Sequence, residues 1–165
     1  MRIAILGAGI FGITAAIKLS IFKKYKIDIF DRSNSILQGA TYANHNRHHY
    51  GFHYPRSQKT IDEINSSKDE FEFHYGQAIY FDFDNFYAIS NNSKVSKFNY
   101  EKFMKKNNLH YRKIKILPKL FNQNKISSVY QVNEGIYDYK VLSNITKKRI
   151  KNNFNIFLNH NLVST

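Results

Sequence analysis

The residues able to do chemistry in this chain fall into two groups near its N-terminus. The first is Gly7-Ala8-Gly9-Ile10-Phe11-Gly12, three glycines in the spacing G-x-G-x-x-G, completed by Asp31. Each glycine answers a separate steric demand. Gly7 permits a tight turn out of a strand, Gly9 lets the backbone approach a pyrophosphate, and Gly12 lets a helix pack closely on a sheet. Ile10 and Phe11 open that helix, whose N-terminus presents unpaired N–H groups and about half a positive charge. Asp31 follows Gly12 by 19 residues, near the spacing of about 20 expected for a carboxylate that accepts from ribose hydroxyls. An acid at that place repels a 2′-phosphate, although neighbouring Arg32 keeps NADP open. The chemistry is recognition of an ADP, and the turn does not separate FAD from NAD.

The second group is the stretch 33–57, which lacks helical or strand periodicity and is rich in His, Asn, Tyr and Arg. A long irregular stretch of this kind in a compact domain is more often a binding loop than filler. His45, His48, His49 and His53 raise the question of a metal. His49 and His53 have the i, i+4 spacing, but Gly51 and Pro55 oppose a helix there, and no Asp or Glu within the loop completes a ligand set. Arginine grips a carboxylate with a two-pronged fork, so Arg47 or Arg56 could anchor an anionic substrate.

The elements that must position these groups are legible in outline. Arg2–Leu6 is a short, β-branched run that predicts a buried strand. Residues 10–22 carry Ile13, Ala16, Ile17 and Ile21 near helical spacing, and Lys26–Phe30 reads as the second strand. Strand, glycine turn, helix and strand make a βαβ unit. Further on, Gln58–Tyr75 predicts a helix with Ile61, Ile64, Phe71 and Tyr75 inward. Residues 79–83 and 86–90 predict a hairpin about Asp84-Asn85. A short helix is expected at 100–106 and a strand at Ile126–Val132. A helix over 138–151 begins at Asp138 and ends among Lys147, Lys148 and Arg149, the electrostatically favourable order. A last strand is expected at 156–158.

Composition bounds the rest. At 165 residues, 42% hydrophobic and 16% aromatic, the chain is a folded domain, or one domain with an incomplete second lobe. With no cysteine, it has no disulfide framework, zinc–thiolate site or cysteine nucleophile. No stretch of about 20 apolar residues is present, and the apolar opening lacks the charge and cleavage features of a signal peptide. A cytoplasmic protein without membrane association is expected. The formal charge of +13 invites a nucleic-acid reading, and from residue 101 onward 13 Lys and Arg face 3 Asp and Glu. Lysine dominates, however, and Asn, Ile, Tyr and Phe are abundant. That mixture suits an AT-rich coding sequence, so a nucleic-acid partner is not the favoured reading.

The run from Gly39 to Ser57, with Arg47, His49, Gly51, His53, Tyr54, Pro55, Arg56 and Ser57 in order, resembles the flavin-contacting stretch of the D-amino-acid-oxidase-like FAD-dependent oxidoreductases. The resemblance continues more weakly through Tyr75-Gly76-Gln77-Ala78-Ile79, Phe86-Tyr87-Ala88-Ile89 and the helix after Glu134. It implies FAD as cofactor and oxidation of an amine, amino acid or hydroxy acid, a small-molecule substrate. It implies that Asp31 holds the adenosine ribose while Thr41 and Asn44 lie along the pyrophosphate and ribityl chain. It implies, further, that Arg47, His49 and His53 approach the isoalloxazine or the substrate. The fold expected is α/β: a Rossmann-like FAD/NAD(P)-binding portion over 1–78 with its flavin loop at 33–57, part of an α+β substrate lobe over 79–138, and a return to the nucleotide domain over 139–165. The family's later strands lie beyond this length, so an N-terminal fragment is expected, or a second chain that supplies the remainder. The rival reading is a non-catalytic Rossmann-like nucleotide-binding module.

Overall fold

The computed structural model describes residues 1–150 and 154–163. The chain divides into two units, Met1–Asn46 with Asp138–Thr165, and Arg47–Tyr137. The first break thus falls inside the 1–78 segment expected from the sequence.

In the first unit, β1 (Arg2–Leu6) leads through the glycine turn into α1 (Ile10–Ser20) and then β2 (Lys26–Phe30), as the βαβ pattern requires. The chain rejoins this sheet through α4 (Tyr139–Arg149) and β9 (Asn155–Phe157), giving three parallel strands in the order β1-β2-β9. Ile3, Ile5, Ile27, Ile29 and Ile156 pack against Ile13 and Ala16 of α1 and Tyr139 of α4, one continuous apolar core. On the opposite face, Asp28 of β2 accepts from Arg2 of β1 at 3.0 Å and Asn155 of β9 at 2.8 Å, tying the three strands together.

Two expectations for this unit are corrected. Arg2–Leu6 is not buried on both faces: Ile3 and Ile5 point inward, while Leu6 is 60% exposed. Among the described residues β1 has β2 as its only strand partner. Ile21 is exposed, because α1 ends at Ser20 before the inward stripe returns. The last residue of the expected 138–151 helix, Lys151, lies outside the described residues.

The second unit holds two small antiparallel sheets. One joins β3 (Arg47–His48), β8 (Gly135–Tyr137) and β4 (Ile79–Tyr80). The other places β7 (Ile126–Val132) between β5 (Asn85–Ser90) and β6 (Tyr111–Ile114). Two helices, α2 (Gln58–Tyr75) and α3 (Lys97–Lys106), complete it. The second core gathers Phe52, Ile89, Tyr100, Met104, Tyr130 and Val132. Tyr100 is buried with its phenol donating to the Phe52 carbonyl at 2.8 Å, so its polar atom is satisfied.

The expected hairpin about Asp84-Asn85 does not form. β4 pairs with β8 and β5 with β7, in different sheets. A two-residue hairpin turn matched to strand twist needs φ > 0 at one or both central residues, and neither Asp84 nor Asn85 has it. Helix α3 starts three residues earlier than expected, at Lys97, because the Ser96 side chain accepts from Asn99 N and caps it. Strands β3, β6 and β8, two to four residues each, escaped the sequence reading. Among the described residues, no helix is long and apolar enough to cross a membrane.

The start of α4 follows from one side chain. The Asp138 carboxylate accepts from Lys140 N at 2.6 Å and Val141 N at 3.0 Å, which satisfies two otherwise orphaned amides. Asp138→Ala is expected to cost about 1 kcal/mol and Asp138→Asn only a fraction of that; urea unfolding of the two variants beside the parent checks the ordering.

Candidate functional site

The glycine turn is built from close approaches. Gly7 sits at φ +103°, a conformation that L side chains rarely adopt, and its amide donates to the Phe30 carbonyl at 2.8 Å. A Cβ on Gly12 would lie 2.0 Å from the Gly7 carbonyl oxygen and 3.3 Å from Ile5 Cγ2, so the helix can rest on the strand only with glycine there. Gly9 is different. Its backbone, φ −74° and ψ 179°, is one that any residue adopts, and an added Cβ would meet only the Thr41 hydroxyl, at 3.3 Å.

Three side groups brace this turn from outside. The Asp31 carboxylate accepts from Ala8 N at 2.6 Å through one oxygen and from Ser33 N at 2.7 Å through the other. Burial, the largest single influence on this carboxyl, pushes its pKa up. The hydrogen bonds from Ser33 and Ala8, with the charge of Arg32 beside it, outweigh that and hold it below its usual value. Leu37 is fully buried in the left-handed region at φ +62°, its amide donating to the Ala8 carbonyl at 2.8 Å. Such a conformation costs a branched side chain about 1–2 kcal/mol, which burial and this hydrogen bond offset. Thr41 is buried and its hydroxyl accepts from Ile10 N at 3.1 Å, supplying the cap that Gly9 cannot.

The remaining sequence-predicted residues divide. Phe11 is exposed at the start of α1, and Arg32 is exposed beside Asp31. Asn44 uses its side chain to close its own loop, donating to the Ala40 and Thr41 carbonyls and accepting from Asn46 N at 2.6 Å. An open cleft of about 690 Å³ lies at the C-terminal ends of β1 and β2, lined by Leu6, Gly7, Phe30, Asp31, Arg32 and His160 among others. His160 is held there by its amide, which donates to the Asp31 carbonyl at 2.9 Å. The sequence reading missed it, along with Leu37; neither position carries a motif.

Arg47, His49 and His53 belong to the second unit and gather around Tyr87. Arg47 donates to the Tyr87 hydroxyl at 3.0 Å, with its guanidinium 5.4 Å from the ring centre. The His53 ring lies 6.4 Å from Tyr87 and 6.2 Å from His49. Tyr87 in turn donates to buried Glu134 at 2.5 Å. His48 is occupied elsewhere, 2.8 Å from Glu72, and Arg56 is exposed.

Residues 5–63 match the family model of the NAD(P)-binding Rossmann-like domain. No curated protein matches the chain by sequence. Among solved structures, L-alpha-glycerophosphate oxidase from Mycoplasma pneumoniae, with FAD bound, superposes over 96% of this chain with a TM-score of 0.69 at 16% identity. Glycine oxidase from Bacillus cereus does so over 96% with a TM-score of 0.66 at 13% identity, and L-proline dehydrogenase from P. horikoshii over 96% with 0.61 at 14%. The chain has their Rossmann-like fold. It spans less than half of each, 44%, 46% and 44% of their lengths respectively. The resemblance to D-amino-acid-oxidase-like oxidoreductases read from the sequence therefore holds at the level of fold.

Two outcomes test this account of the turn. Gly12→Ala is expected to destabilise the chain by roughly 3 kcal/mol through overpacking, and Gly7→Ala by about 1–2 kcal/mol through backbone strain alone; urea midpoints give the ordering. Because the Asp31 pKa is lower folded than unfolded, its contribution to stability is complete above the ordinary Asp value of about 3.9. It is lost as pH falls through the folded pKa. The stability gap between parent and Asp31→Asn is therefore expected to be flat from about pH 5 upward and to narrow below about pH 4. Denaturation midpoints across that range check it.

Proposed function

We propose that this chain is the N-terminal part of a cytoplasmic FAD-dependent oxidoreductase that oxidises an amine, amino acid or hydroxy acid. The observation that carries the reading is Gly9. The fold requires glycine at 7 for its φ and at 12 for its backbone contact, whereas at 9 the backbone is ordinary and a Cβ would press only on one side-chain atom, the Thr41 hydroxyl at 3.3 Å. A ligand passing close to the backbone at the helix N-terminus accounts for glycine there more fully than that one side-chain contact does.

The residues present fit a bound ADP. Gly7, Gly9 and the Phe11 amide would hold the pyrophosphate, with Ile10, whose own amide is capped by Thr41, opening the helix and the α1 N-terminus favouring the charge. Asp31 has each carboxylate oxygen engaged by one amide, which leaves acceptor capacity for ribose hydroxyls. Arg32, Thr41 and Asn44 would lie further along the cofactor. Bound FAD supplies the hydride acceptor. The chain's own residues bind and orient: Arg47 would fork the carboxylate of an anionic substrate, with His49 and His53 beside it. The second edge of β1, without a strand partner among the described residues, suits further strands from the same polypeptide or from a second chain.

A non-catalytic nucleotide-binding module is the second reading, favoured by the fact that every ADP-directed residue lies in the first unit. The two part on a visible absorbance spectrum of the purified, desalted chain after incubation with FAD. A retained flavin spectrum, lost in Gly9→Val and Asp31→Ala, is expected. Retention of NAD or ADP without flavin by the folded chain would support the module instead. Salt-sensitive binding of duplex or single-stranded nucleic acid, with no retained nucleotide, would overturn both.

A further inference from the structure

Glu134 is the most deeply buried acid of the second unit, 1% exposed, in the short turn between β7 and β8. An isolated carboxylate in such a place is costly, and a neutral or apolar side chain usually serves a fold better. The turn is pinned around it. Asn85 donates to the Glu134 carbonyl at 3.2 Å, and a Cβ on Gly135 would come within 2.8 Å of Ile79.

What the carboxylate touches explains its presence. Oε1 accepts from Tyr50 N at 3.0 Å and lies 3.8 Å from His49 Nδ1. Oε2 accepts from the Tyr87 hydroxyl at 2.5 Å, and that hydroxyl accepts from Arg47 at 3.0 Å. His49 Nδ1 is itself buried with no hydrogen-bond partner, so its electrostatic neighbour is Glu134. One carboxylate thus stands between a guanidinium and an imidazole, reaching the first through a phenol and lying 3.8 Å from the second.

We propose that Glu134 is a positioning residue, a single buried carboxylate that sets Arg47 through Tyr87 and His49 through space, fixing a guanidinium and an imidazole for an anionic substrate group. The inference rests on the reading that Arg47 and His49 serve such a substrate. The groups facing the carboxylate are Arg47, His49, Tyr50 and Tyr87, with the Tyr100 phenol further back and Glu72 bonded to the far side of Tyr50 at 3.3 Å. Burial acts most strongly on Glu134 and pushes its pKa up, yet His49, Tyr87 and the Tyr50 amide together hold it below the usual value. Burial and then Glu134 push the Tyr87 phenol well up. The proton therefore stays on Tyr87, and the negative charge stays on Glu134.

The test needs neither flavin nor substrate. In the full chain labelled with 13C and 15N, hydrogen exchange at the Arg47 guanidinium and the His49 ring shifts are followed by NMR at one fixed pH in the parent, in Glu134→Gln and in Tyr87→Phe. Loss of the carboxylate is expected to speed Arg47 exchange several-fold and to move the His49 ring shifts, while the exposed His45 ring moves far less. Tyr87→Phe is expected to speed Arg47 exchange and to leave the His49 ring shifts in place. A folded Glu134→Gln protein with unchanged Arg47 exchange or unchanged His49 ring shifts would overturn the proposal. Should that variant unfold, Tyr87→Phe decides: Arg47 exchange no faster than in the parent overturns the proposal equally. An unchanged Arg47 or His49 with flavin retained sinks the role of Glu134 alone. A Glu134-dependent Arg47 and His49 with no flavin retained sinks the oxidoreductase reading alone.

Discussion

The first unit depends on the contact between Gly12 and the Gly7 carbonyl. A Cβ on Gly12 would lie only 2.0 Å from that oxygen, so helix α1 is seated on the turn with no tolerance for a methyl group. That contact fixes where the helix begins, and so where its unpaired amides point. The braces around the turn follow from the seating. Asp31 reaches Ala8 N, Leu37 reaches the Ala8 carbonyl and Thr41 reaches Ile10 N, so three loop residues distant in sequence hold three successive parts of one turn. An anion site made of backbone dipoles is only as good as the backbone's rigidity, because dipoles fixed before binding need no reorganisation when the ligand arrives.

Both units place a carboxylate where backbone amides can satisfy it, with different consequences. Asp31 bonds two amides of its own neighbourhood and stays half-exposed, available to a ligand. Glu134 is sealed, bonded to an amide and a phenol, and reaches the surface only through Arg47 and His49. An acid that keeps exposed acceptor capacity can recognise hydroxyls. A sealed acid can only orient what surrounds it. The distinction is one of burial, since both carboxyls are held below their usual pKa values by hydrogen bonds that outweigh desolvation.

What the sequence disclosed follows from how local each feature is. The βαβ unit was legible to the residue at Arg2–Leu6 and Lys26–Phe30 because glycine spacing and β-branched runs are short-range signals. Helix α2 was equally legible over Gln58–Tyr75, from its periodicity. The second unit was not, because its sheets are assembled from pairings between distant segments: β3 finds β8 across nearly ninety residues, and β4 finds the same strand. Phe81 to Phe83 alternates as a hairpin strand would, yet the turn geometry after it is absent, and the partners lie elsewhere. Arg47, His49 and His53 could be singled out by residue type. Tyr87 and Glu134, which join them, could not, since an acid in a strand-to-strand turn carries no periodic or spacing signal.

The same contrast separates the two parts of the proposed activity. Every group proposed to meet an ADP lies between Gly7 and Asn44, in one unit with one core, and the chemistry on offer there is backbone amides, a helix terminus and one carboxylate. Oxidation of an anionic substrate asks for more: a cationic anchor for its charged group and a dry surround that a sheet with an exposed face does not provide by itself. The chain spans less than half of the solved oxidases and the dehydrogenase whose fold it shares. In the proposed activity, nucleotide recognition falls to residues of the first unit, and the Arg47–Tyr87–Glu134–His49 cluster of the second is the part directed at substrate.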